Sequence, residues 1–166
     1  GMGPLGDALG QMMVGYVQNT FDGFAPKRIL DMGCGIGSGL LPFVDAYPDA
    51  EIHGIDVATP MLRYGHARAE ALGREVHFSQ QNAEHTNFPD ASFDLVMTHI
   101  VVHETSQKAL RNILKECRRL LKPGGVTVHC ETPMYDDRLS PFDQAQTDWD
   151  TYFNNEPFVG PMHGLD

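Results

Sequence analysis

The sequence predicts an α/β domain: a doubly wound, mostly parallel sheet of about five strands with helices on both faces. Three observations carry that expectation. Short apolar runs alternate along the chain with segments of helical apolar spacing, the pattern of successive βα units. One run, Phe93 to Val102, is almost continuously apolar, as a strand covered on both faces must be. A glycine-rich turn, Gly33-Cys34-Gly35-Ile36-Gly37, stands between the first apolar run and the next helical segment, where folds of this kind meet their ligands.

Taken in order, Leu5, Leu9, Met12, Met13, Tyr16 and Val17 recur at helical spacing and predict an amphipathic helix over 5–20. Arg28-Ile29-Leu30 opens the first strand and runs into the glycine loop. Leu40, Leu41 and Val44 mark the following helix, which Pro48 stops. A second strand, Ile52 to Ile55, ends at Asp56. Thr59-Pro60 then offers an N-cap with proline at the first helical position, for a helix running to Gly73. A third strand is expected over 75–79, a polar loop from Gln80 to Ser92, and a fourth strand over Phe93 to Val102. Leu110, Ile113, Leu114, Cys117, Leu120 and Leu121 keep helical spacing, with Lys108, Arg111, Lys115 and Arg118 opposite. Pro123-Gly124-Gly125 is expected to end that helix, and Val126 to Glu131 to supply the fifth strand. Past Thr132 the pattern weakens and only Pro141 to Phe153 reads as helix. The domain is therefore 2–131, with Gly1 read as a residue of tag removal and 132–166 as an extension.

The 166 residues suit a single core. Hydrophobic residues make up 42% and charged residues 20%, the balance of a chain that folds rather than one that stays disordered. A net charge of -10 opposes phosphate neutralisation, so no nucleic-acid partner is expected. No apolar run approaches the roughly 18 residues of a membrane span. The start lacks the basic-then-apolar pattern of a signal peptide. The reading is a cytoplasmic protein without a membrane partner. Cys34, Cys117 and Cys130, with no C-x-x-C pair among them, read as reduced small hydrophobes.

Glycines between a strand and a helix let the backbone approach a ligand closely. By itself the pattern also serves ordinary tight turns. Asp56 adds to it: an acid at the end of the second strand is where ribose hydroxyls find an acceptor in such folds. The dinucleotide fingerprint would need glycine or alanine at position 38, where Ser38 stands.

Asp31-Met32-Gly33-Cys34-Gly35-Ile36-Gly37 resembles the D/E-x-G-x-G-x-G motif of class I S-adenosylmethionine-dependent methyltransferases, which are Rossmann-like. Gly54-Ile55-Asp56, Asn82-Ala83-Glu84, Phe88 to Val96 and Leu120 to Gly125 match further segments of that family in order. The likeness is to its small-molecule branch, which includes the ubiquinone and menaquinone biosynthesis methyltransferases. It implies S-adenosyl-L-methionine as cofactor and a small-molecule methyl acceptor as partner. Gly33, Cys34, Gly35 and Gly37 would border the methionine end, Asp31 would hold its amino group, and Asp56 the ribose. Val57 and Met61 would flank the adenine, Asn82 and Ala83 would meet its edge, and His99 would offer its backbone carbonyl. The family usually has aspartate where Asn82 stands. It also continues to two more strands, which this chain is expected to lack; a homodimer covering the fifth-strand edge is one expected remedy.

Methyl transfer from a sulfonium depends mainly on alignment, so dedicated catalytic groups are few. His103 and Glu104 follow the fourth strand and are candidates for acid-base work on the acceptor; the alternative is that they cap a helix beginning near Thr105 or merely border the pocket. No metal site is expected, because His99 and His103 would stand roughly 13 Å apart along an extended strand. Tyr135, Asp136, Asp137, Trp149, Tyr152 and Phe153 are candidates for the acceptor pocket or for packing. Two rival readings stand beside the enzyme: an S-adenosylmethionine-binding module without its own turnover, and a nicotinamide-dependent dehydrogenase.

Overall fold

The computed structural model describes residues 6–131 together with 140–143, 145, 146 and 149. The elements are α1 (Ala8–Thr20), β1 (Arg28–Met32), α2 (Leu41–Ala46), β2 (Glu51–Asp56), α3 (Thr59–Ala71), β3 (His77–Gln80), β4 (Phe93–His99), a 3₁₀ turn at Val102–Glu104, α4 (Gln107–Leu120) and β5 (Leu121–Cys130). The sheet has five strands in the order β3-β2-β1-β4-β5, and every pairing is parallel. The expected doubly wound α/β architecture is what forms. Its order reverses between β1 and β4, which opens a crevice outside their carboxyl ends.

Alternation along the strands divides the core in two. Ile29, Ile52, Leu95, Met97 and Val128 pack with Met13, Val14 and Val17 of α1, Leu41 and Phe43 of α2, and Leu62 and Ala69 of α3. Leu30, Met32, Ile55, Phe93 and Val96 face the other way, against Ile113, Cys117 and Leu120 of α4. On that second face the polar loop before β4 is tied down by a buried acid. Glu116 Oε1 accepts from the Thr86 amide and hydroxyl, both at 2.7 Å, and Arg119 reaches the same oxygen at 2.6 Å. Among the described residues no helix is long and apolar enough to cross a membrane.

Several boundaries differ from the sequence reading, each for a local reason. The first helix runs from Ala8, with Gly6 left-handed at φ 67° ahead of it; the expected start at Leu5 lies outside the described residues. Thr59 is the first helical residue and not the cap; Ala58 holds that place, with its N–H donated to Asp56 Oδ1 at 2.8 Å. The third strand is shifted to His77–Gln80. The fourth stops at His99, three residues short of Val102, because Ile100 takes φ 56° and turns the chain out of the sheet. Pro123-Gly124-Gly125 does not separate helix from strand: α4 ends at Leu120 and β5 begins at once. The register then jumps from Phe93↔Leu121 to Leu95↔Val126, so the Pro-Gly-Gly segment is a bulge within the strand. Of the extension, 141–143, 145, 146 and 149 are helical, inside the expected Pro141 to Phe153 helix. Ser140 precedes them outside the helix, and the remaining residues of the extension lie outside the described ones.

Candidate functional site

The glycine loop is built on Ile55, whose carbonyl accepts from the N–H groups of Gly33 and Cys34 at 2.8 and 2.9 Å. Gly33 has φ 83°, and a Cβ there would stand 2.6 Å from Val101 Cγ2, so neither its backbone nor its space admits a side chain. Asp56 closes the structure. Its Oδ2 accepts from the Gly35 N–H at 2.8 Å and its Oδ1 from the Ala58 N–H, joining the loop to the start of α3. Four loop amides, those of Gly33, Cys34, Gly35 and Gly37, are thus spent inside the fold, the last on the Cys34 carbonyl at 2.8 Å.

Asp31 lies beneath the loop, fully buried, and neither carboxylate oxygen has a hydrogen-bond partner. Burial first, and the charge of Asp56 second, push its carboxyl up to about 8. A buried acid of this kind suits a cationic, hydrogen-donating group. Cys34 beside it is buried too, and burial together with Asp31 and Asp56 drives its thiol far above the ordinary range, so it is not a nucleophile. Val57 and Met61 stand exposed at 65% and 44%, and Met61 Cε comes within 3.8 Å of where a Gly35 Cβ would be. Gly37 is packed against Phe78.

Asn82 sits on the exposed turn after β3. Its Oδ1 accepts from the Glu84 N–H at 2.8 Å, so one lone pair of the oxygen expected to face an adenine amino group is already used. Ala83 is partly buried against the α4 side of the core.

Sequence reasoning named His103 and Glu104; it missed Glu131. His103 is buried on the 3₁₀ turn, with Nδ1 2.6 Å from Glu131 Oε1. Glu131 Oε2 accepts from the Val102 N–H at 2.6 Å, so one carboxylate grips both the ring and the turn that carries it. Glu104 is exposed, its Oε1 3.7 Å from His103 Nε2. The signal that could have found Glu131 was its place at the end of the fifth strand, the level at which such crevices collect functional groups. Neither His103 nor Glu104 caps a helix: α4 starts at Gln107, and Ser106 caps it by accepting from the Ala109 N–H at 3.2 Å. The 13 Å separation expected for His99 and His103 does not apply either, since the chain leaves the strand at Ile100. Among the described residues no three His, Cys, Asp or Glu side chains gather as a metal-holding group.

His99 ends β4 with its ring against the loop: a Cβ on Gly39 would lie 2.5 Å from Nδ1. Its Nε2 is buried and has no hydrogen-bond partner. Burial lowers the pKa of the imidazole, with Glu131 opposing. Trp149 is exposed; Tyr135, Asp136, Asp137, Tyr152 and Phe153 lie outside the described residues.

Sheet order, glycine loop and strand-end acid together define a Rossmann-like domain with its crevice at the β1/β4 switch point. Comparison narrows the class. A methyltransferase-domain family matches residues 29–125, and this chain belongs to it. The cofactor of that family is S-adenosylmethionine. The demethylmenaquinone methyltransferase of Thermus thermophilus is 39% identical over 109 residues, which cover 66% of this chain and 49% of that protein. The structure of the YcgJ protein from Bacillus subtilis has a TM-score of 0.68 at 28% identity, covering 86% of this chain and 57% of that one. PKMT2 from Rickettsia typhi, solved in complex with AdoHcy, has a TM-score of 0.57 at 27% identity, covering 62% of this chain and 20% of that one. The chain spans about half the length of the curated relatives it matches.

Proposed function

We propose that this chain binds S-adenosylmethionine across the carboxyl ends of β1, β2 and β4 and transfers its methyl group to a small-molecule acceptor. The observation that carries the reading is Asp31: a fully buried carboxyl with both oxygens unmet, under a glycine loop, fits the ammonium of an amino-acid ligand. The AdoHcy held by PKMT2 and the small-molecule acceptor in the name of the Thermus relative support it.

In this reading Asp31 takes the amino group, with the carbonyls of Gly33 and His99 beside it. Cys34, Gly35 and Gly37 shape the loop surface. Asp56 keeps one lone pair on each oxygen for the ribose hydroxyls while its other pairs hold the loop. Val57 and Met61 lie against the adenine, and Asn82 and Ala83 border its edge. The bound cofactor supplies a methyl carbon on a positively charged sulfur. With that donor bound, the chain's own task would be to hold the acceptor in line with the methyl carbon. His103 takes the acceptor's proton at Nε2. Glu131 is its positioning residue, orienting the ring through Nδ1, and Glu104 borders the approach.

Calorimetric titration with S-adenosylmethionine and, side by side, NADH tests the reading. Binding of the first and not the second is expected. Absence of S-adenosylmethionine binding would overturn it, and binding of NADH alone would favour a dehydrogenase.

A further inference from the structure

The strand β5 is an edge of the sheet, and among the described residues no strand pairs with its outer side. The two edges differ. At the far end β3 has four residues, and a short edge offers little to pair with. The ten residues of β5 offer more. Its first half is broken by the Pro123-Gly124-Gly125 bulge, which leaves Val126 to Cys130 as a regular stretch without proline. The Cys130 carbonyl accepts from the Ile100 N–H at 2.8 Å, on the β4 side. Alternation along the strand therefore turns the N–H and C=O groups of Val126, Val128 and Cys130 toward β4, and those of Thr127 and His129 outward. Beside this edge α1 leaves a groove of about 390 Å³, lined by Met12, Met13, Tyr16 and residues 127–131. Met12 and Tyr16 are exposed, and Leu9 continues their ridge along the helix.

Charge selects the occupant. At a net charge of -10, two copies of the chain repel each other over most of their surface. Yet α1 and the strand from Pro123 to Cys130 contain no lysine, arginine, aspartate or glutamate. Glu131, at the end of the groove, is already held by His103 and the Val102 N–H. This band is where like chains can meet without repulsion. The strand is also complementary to itself. Laid antiparallel on a second copy about Val128, it sets Thr127 opposite His129 as a hydrogen-bonded pair, through their outward backbone groups. Val128 then meets Val128, and Val126 meets Cys130. These three side with α1, where Val128 is buried and the other two pack against the same core, so apolar meets apolar on that face. Thr127 and His129, whose side chains bond each other at 2.6 Å, occupy the opposite face. The two copies of Glu131 fall at opposite ends of the pairing.

We propose that the outer edge of β5 is a self-association surface, and that two copies of this chain pair there antiparallel about a two-fold axis through Val128. The two five-stranded sheets become one continuous sheet. A two-fold axis normal to the sheet keeps both α1 helices on the same face, so their exposed ridges flank the join and the two grooves close over it. The pairing meets the outward N–H and C=O groups of Thr127 and His129 in both copies, and it removes the open edge.

The test is sedimentation of the full chain at tens of micromolar, with Thr127→Pro alongside. The Thr127 N–H points away from β4, so proline removes a bond between copies and blocks the edge while the β4 ladder stays whole. The unaltered chain should sediment as a dimer and Thr127→Pro as a monomer. A monomeric unaltered chain would overturn the proposal, as would a dimer that survives Thr127→Pro, since another face would then hold it. Should the proline variant not fold, amide hydrogen exchange in the unaltered chain decides. The Thr127 and His129 amides should exchange at least about 10-fold more slowly when the chain is concentrated enough to be dimeric than when it is dilute. Exchange independent of concentration would overturn the proposal. Slow exchange in a monomer would show that another segment of the same chain covers the edge, and would overturn it too.

Discussion

Asp31 sets burial against function within one side chain. Its carboxyl is pushed up from 3.8 to about 8, so at pH 7 the ligand-free domain holds it mostly protonated. An ammonium beside it reverses the balance, so cofactor binding should release close to one proton at pH 7, and affinity should rise with pH up to about 8. Calorimetry in buffers of different ionisation enthalpy reads that proton; a heat independent of buffer would contradict it. The sign for stability follows from the same shift. Because the folded pKa is raised, the contribution is complete below about 4 and is lost as pH rises toward about 8, a slope Asp31→Asn should flatten. Asp56 differs, since both oxygens already take backbone N–H groups. Asp56→Ala should therefore lower cofactor affinity by about 1.5–3 kcal/mol, as for a lost charge-assisted bond, and loosen the loop as well. Unchanged affinity would remove the ribose assignment.

At the scale of elements, α1 is held by a close backbone approach rather than by helix propensity. Alanine is favoured over glycine in a helix by about 1 kcal/mol. At Gly10, however, a Cβ would meet the Gly39 oxygen at 2.6 Å and Pro42 Cγ at 2.9 Å. The clash wins, and Gly10→Ala should destabilise by about 1–3 kcal/mol. At Gly15 of the same helix nothing lies within 4 Å, so Gly15→Ala should stabilise by up to about 1 kcal/mol. Urea unfolding of the pair separates packing from propensity. On the other face, burial raises the Glu116 carboxyl, but Arg119 and Thr86 outweigh it and bring it down to about 2. That depressed pKa places about 3 kcal/mol of stability above pH 4.5, lost as pH falls toward 2. Acid unfolding of Glu116→Gln should show a weaker dependence over that window.

For the whole molecule, one crevice links β1, β2, β4 and the turn after β4, so a ligand bound there is coupled to global unfolding. S-adenosylhomocysteine at one hundred times its dissociation constant should add about 2.7 kcal/mol. For a chain of this size that is roughly 5–10 °C in Tm. An unmoved Tm in excess ligand would mean that the folded chain does not bind it.

The sequence by itself determined the order of elements, the glycine loop, Asp56 and the family, because periodicity and turn chemistry are local properties of the chain. It misplaced the ends of elements where one residue's backbone decides, as at Ile100, and where a bulge absorbs a turn signal, as at Pro123-Gly124-Gly125. Only the tertiary structure decided which groups meet at the crevice. Glu131 reaches His103 across 28 residues because β5 lies beside β4. The ring of His99 meets Gly39 because α2 covers that face of the sheet. Both contacts depend on strand order and register, and a one-dimensional pattern of apolar spacing records burial without recording which strand is the neighbour.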